Sequence, residues 1–172
     1  MKIARVNFPE TTSNPIRFVG FNEIDFQTNG YSNLLDQEYI HHLSKEWPVT
    51  QIRWKCYKPN TKRLLHLATI DSESGIKYRD RLLQAPMAPG FEFKCSTQCN
   101  QGFKFYHDDV SSMKTSINYV GVSYIRNRFV YDHTIRKSGY VQIVVRQNRF
   151  DCDDTSYKKP HLNVGWFKTY LR

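Results

Sequence analysis

Between residues 49 and 57 hydrophobic and polar positions alternate. Ile52, Trp54 and Cys56 share one parity, and Gln51, Arg53, Lys55 and Tyr57 share the other. A period of two belongs to a strand with one face buried and one in water. Lys58, Pro59, Asn60 and Thr61 then supply a turn, and residues 62–70 read as the returning strand of a hairpin with a basic tip. Upstream of Pro48 the period is close to four, with Leu35, Tyr39 and Leu43 in one stripe and Ile40 beside them. That spacing predicts one amphipathic helix, capped by Ser32 or Asn33, with Asp36 in its first turn and Pro48 ending it.

Residues 91–95 and 103–106 alternate cleanly around a Gly- and Asn-containing turn and predict a second hairpin. Further strand signals cover residues 16–21, 117–131, 140–146 and 162–171, with turns at Asn29-Gly30 and Ser138-Gly139. Residues 76–83 fit a short helix or a loop, and Pro86, Pro89 and Gly90 make the next stretch irregular. The expected fold is mainly β (α+β): an antiparallel sheet sandwich or open barrel of about seven or eight strands with one packed helix. Residues 1–172 are expected to form a single domain, since either side of the proline-rich stretch is too short to bury a good core.

Composition agrees with a globular chain: 172 residues, 40% hydrophobic and 24% charged. No run approaches the roughly 18 apolar residues needed to cross a bilayer, and the first residues lack the apolar core of a secretory signal. An intracellular protein of cytoplasm or nucleus, with no membrane partner, is therefore expected. Four cysteines, Cys56, Cys95, Cys99 and Cys152, permit two disulfides, but in such a setting free thiols are preferred. Cys95 and Cys99, with His107 nearby, also resemble the start of a zinc site. Their spacing is not a standard set, so no metal is assigned.

Charge and aromatic content change the picture most. The net charge is +9, and it is uneven: residues 1–50 hold four Lys/Arg against six Asp/Glu, whereas residues 51–172 hold twenty-one against ten. Aromatic residues make up 15% of the chain. Rings fill sheet cores, and they also form platforms on which bases stack. Cations and rings interleave on the first hairpin at Arg53, Lys55, Tyr57, Lys58, Lys62 and Arg63. A second group of cations follows at Arg126, Arg128, Arg136, Lys137, Arg146 and Arg149. Arginine forks bind phosphate, and the excess positive charge attracts polyanions at long range.

Catalytic signals are weaker. The chain has no nucleophile elbow, phosphate-binding glycine loop or metalloprotease helix. Glu23 and Asp25 stand two apart on a strand signal and could hold a divalent cation. Asp108 and Asp109 beside His107, and Asp151, Asp153 and Asp154, offer further carboxylates. His66 lies among leucines, where a hydrogen-bonded core histidine is the simpler reading. The sequence thus predicts a non-enzymatic nucleic-acid-binding or nucleoprotein-assembly domain, for RNA or DNA, with no cofactor and no catalytic residues. Two alternatives stand beside it. One is a structural or protein-interaction subunit that self-assembles or joins a larger particle; the other is a metal-dependent phosphohydrolase or nuclease.

Overall fold

The computed structural model describes residues 1–8, 16–19, 32–35, 37–83, 92–94, 99–111, 119–122, 133–137, 140–146, 149–152 and 164–172. In chain order, strands β1 (Lys2–Phe8), β2 (Ile16–Val19) and β3 (Ser32–Leu35) precede helix α1 (Gln37–Glu46). Strands β4 (Ile52–Lys58) and β5 (Arg63–Thr69) lead to helix α2 (Glu73–Leu83). Strand β6 (Glu92–Lys94), a 3₁₀ turn at Cys99–Gly102 and β7 (Phe103–Phe105) come next. Strands β8 (Tyr119–Val122), β9 (His133–Lys137), β10 (Tyr140–Arg146), β11 (Arg149–Cys152) and β12 (Gly165–Leu171) complete the series. The result is a sheet-rich α+β fold, mostly antiparallel, with two α-helices among the described residues.

One sheet has the order β2-β3-β1-β12-β4-β5-β7 and the other β11-β10-β9-β8-β6. Only β2 and β3 are shown to pair in parallel. The C-terminal strand β12 lies inside the larger sheet, between β1 and β4, so the two ends of the chain are zipped together. The even positions of β4 face inward, and Ile52, Trp54 and Cys56 are fully buried with Leu65, Leu67 and Phe167. Phe103 packs on Trp54 at 6.2 Å, and Tyr78 of α2 stacks on Phe103 at 5.3 Å. Phe150 and Cys152 of β11 are buried and approach β4 and β5. The helix-and-β11 side is therefore the covered face of the larger sheet. No helix among the described residues is long and apolar enough to cross a membrane.

Four expectations change here. Helix α1 starts at Gln37, because Ser32 and Asn33 are strand residues, with Asn33 opposite Arg5 of β1. Ile40 is buried, while Trp47 is 61% exposed beyond the helix end that Pro48 imposes. A second helix exists where the sequence left helix and loop open. Ser72 caps it: its hydroxyl accepts the Gly75 N–H at 3.1 Å, and its carbonyl accepts the Ile76 N–H at 2.8 Å. The expected second hairpin does not form. Strand β6 pairs with β8, and β7 pairs with β5, in different sheets. Alternation specifies a half-buried strand but says nothing of its partner.

The fourth change concerns the cysteines. Cys56 and Cys152 form a disulfide across 96 residues of sequence, with their Cα atoms 6.0 Å apart. Inward parity puts Cys56 on the covered face, and β11 brings Cys152 over it. Disulfides persist in oxidising surroundings, so the free-thiol argument for a reducing compartment no longer holds. Cys95 lies outside the described residues.

Candidate nucleic-acid interface

The outward parity of the same strands carries the candidate site. Backbone pairing sets Tyr170, Arg53 and Ala68 in one cross-strand row, Lys168, Lys55 and His66 in the next, and Trp166, Tyr57 and Leu64 in a third. Strand β7 adds Lys104 opposite Ala68, and the Tyr106 N–H donates to the His66 carbonyl at 3.0 Å. The second row continues in backbone pairing through Arg5 of β1. Gly165 opens β12 at a φ of 151°, where a Cβ would strike the Tyr57 carbonyl. The backbones meet closely there, and the Trp166 and Tyr57 rings come to 6.1 Å.

At the centre lies Asp108. Its Oδ2 accepts from Lys55 Nζ at 2.7 Å, and its Oδ1 lies 2.5 Å from His66 Nδ1. The other ring nitrogen, Nε2, is 2.7 Å from Arg53 Nε. An arginine Nε can only donate, so His66 Nε2 must carry the lone pair. The proton then sits on Nδ1 and is donated to Asp108, and the ring is neutral. Burial lowers the His66 pKa, and the Arg53 and Lys55 charges push the same way against the Asp108 bond. The Lys55 hydrogen bond, reinforced by that of His66, holds Asp108 well below the usual carboxylate range.

Asp109 fixes the adjoining loop. Its buried carboxylate accepts the His66 N–H at 2.5 Å, the Ser111 N–H at 2.9 Å and the Ser111 hydroxyl at 2.7 Å. Both carboxylates of this pair are thus committed to protein donors. Rings and cations fill the remaining surface. Tyr106 stacks on His66 at 4.0 Å. The Arg53 guanidinium lies 4.6 Å from the Tyr106 centroid and 5.2 Å from that of Tyr170. Lys104 Nζ is 5.2 Å from Tyr106, and Lys168 Nζ is 4.7 Å from Trp166. His66 and Ala68 point outward in the pairing yet are buried, His66 beneath Tyr106 and Arg53.

Of the residues singled out in the sequence, Arg53, Lys55 and Tyr57 come together on this face, each half-buried. Lys62, at a φ of 52°, and Arg63 are exposed at the hairpin tip. Lys58 is corrected: it falls on the inward parity of β4 and is fully buried, with Nζ 5.2 Å from the Phe150 centroid. Arg136 and Lys137 on β9, Arg146 on β10 and Arg149 on β11 belong to the other sheet, where Arg146 pairs with Arg149. The described strand cations of the two groups therefore lie in different sheets. Arg126, Arg128, Glu23 and Asp25 lie outside the described residues. Among the described residues no three His, Cys, Asp or Glu side chains gather as a metal site.

Sequence reasoning missed Lys104, Tyr106, Asp108, Trp166, Lys168 and Tyr170 as members of the face. For β12 the signal was present, because Trp166, Lys168 and Tyr170 alternate as Arg53, Lys55 and Tyr57 do. No local pattern joins Asp108 to His66, which is 42 residues away. No known protein family, curated protein or solved structure matches this chain.

Proposed function

We propose that this chain is a non-enzymatic nucleic-acid-binding domain, suited to nucleoprotein assembly, which takes single strands on the outward face of β12, β4, β5 and β7. The observation that carries this reading is the interleaving of Arg53, Lys55, Lys104 and Lys168 with Tyr57, Tyr106, Trp166 and Tyr170. Cations at strand spacing track a phosphate backbone, and ring faces between them stack bases without demanding a sequence. The acidic side chain at the centre of this patch, Asp108, is paired with Lys55. Proton-transfer chemistry is disfavoured because both ring nitrogens of His66 and both oxygens of Asp108 are already engaged. The same reading takes the fold as a sheet sandwich, supported by the disulfide from β4 to β11.

Fluorescence anisotropy with labelled single- and double-stranded oligonucleotides across a salt series tests this. Binding should favour single strands and weaken steeply with salt. Lys104→Ala and Lys168→Ala should each reduce the slope of log affinity against log salt by about 0.7. Tyr170→Leu should cost about 1–3 kcal/mol if a base stacks there. An absence of binding at low salt would refute the reading.

A further inference from the structure

Arg53 differs from the other cations of the face because three neighbours hold it. Its Nε is bonded to His66, and its guanidinium lies 4.6 Å and 5.2 Å from the Tyr106 and Tyr170 ring centroids. His66 is itself anchored through Nδ1 to Asp108, and Asp108 is tied to Lys55. This chain of bonds fixes the guanidinium plane before any ligand arrives. Among the described residues, neither Nη1 nor Nη2 has a hydrogen-bond partner, although the side chain is half-buried. A guanidinium held by Nε keeps its terminal edge, two parallel donors, for a bidentate acceptor.

Resting on the nucleic-acid reading, we propose that Arg53 is the phosphate seat of this face: one phosphate of a nucleotide chain bonds to its Nη1 and Nη2 edge. The flanking groups favour a phosphate between bases over a simple carboxylate. Tyr170 and Tyr106 offer two rings next to the guanidinium, and Lys104 beside Tyr106 supplies a second positive charge. His66 acts as a positioning residue. Its neutral tautomer is the only form whose Nε2 can accept from Arg53, so it aims the fork without adding a competing charge. Lys55 lacks the planar fork: its ammonium is a point charge, with one donor already bonded to Asp108.

The test compares wild type with Arg53→Lys, which keeps the charge but loses the planar fork and the His66 bond. A labelled single-stranded oligonucleotide is the first probe. Affinity should fall about tenfold or more, the worth of a charge-assisted hydrogen bond, while the salt slope stays unchanged. A nucleoside 5′-monophosphate is the second probe, titrated into nitrogen-15-labelled wild-type protein while the Arg53 Nε–H resonance is followed. That resonance should shift with the monophosphate and not with the unphosphorylated nucleoside. Oligonucleotide binding that is equal in wild type and Arg53→Lys would overturn the seat and leave the nucleic-acid reading intact. A monophosphate shift without oligonucleotide binding would keep the seat and remove that reading. Silence from both probes would overturn both.

Discussion

His66 and Asp108 each favour, in the folded protein, the protonation state that serves their shared bond, and the sign of the resulting pH dependence follows. The His66 pKa is lowered from its ordinary 6.5, chiefly by burial, so over the intervening pH range the unfolded chain binds a proton that the folded chain refuses. Asp108 is held below its ordinary 3.8, chiefly by Lys55, so it too is more readily protonated when unfolded. Both contributions are present in full above the unfolded values and are lost as pH falls toward the folded ones. Thermal unfolding should therefore show a melting temperature that declines on acidification from neutral pH, first through His66 and then, below about pH 4, through Asp108. His66→Asn should flatten the first part of that decline. A melting temperature that rises between neutral and mildly acid pH would contradict the neutral tautomer. Protonated His66 would also turn Nε2 into a second donor facing Arg53.

Among the elements, α2 depends on a close approach that only glycine permits. A Cβ on Gly75 would meet the carbonyl oxygens of Ile70 and Gly102, both backbone atoms that cannot step aside. Gly→Ala inside a helix ordinarily stabilises it, by about 1 kcal/mol. Here overpacking should win, so Gly75→Ala should destabilise by roughly 1–3 kcal/mol in denaturant unfolding. The β4–β5 hairpin was legible in the sequence because alternation and a proline-containing turn agreed with its tertiary pairing. Parity also placed Arg53, Lys55 and Tyr57 outward, and carried one residue further it places Lys58 inward, where it is found. Helix α2 was faint because the buried apolar side chains described on it, Tyr78 and Leu83, stand five residues apart and make no repeating stripe. The partners of β6 and β7, and the union of Arg53, His66 and Asp108, were not legible. Each depends on long-range pairing that leaves no periodic trace.

At the scale of the whole molecule, the positive charge and the disulfide act on different parts of the fold. The described site lies wholly on the larger sheet and the loop after β7, whereas the Cys56–Cys152 bond ties that sheet to β11 from the covered side. A cross-link spanning 96 residues restricts the unfolded chain strongly. Its loss in the Cys56→Ser, Cys152→Ser double variant should cost about 2–4 kcal/mol in denaturant unfolding. Intact mass after alkylation should show these two thiols reacting only once reductant is added. Binding should respond otherwise. The bonds that hold Arg53 run through His66, Asp108 and Lys55, with no atom of β11 among them. Below its melting temperature, the reduced protein should therefore keep its oligonucleotide affinity while losing stability. Affinity lost together with the disulfide would mean that the outward face takes its shape from the second sheet as well as from its own strands.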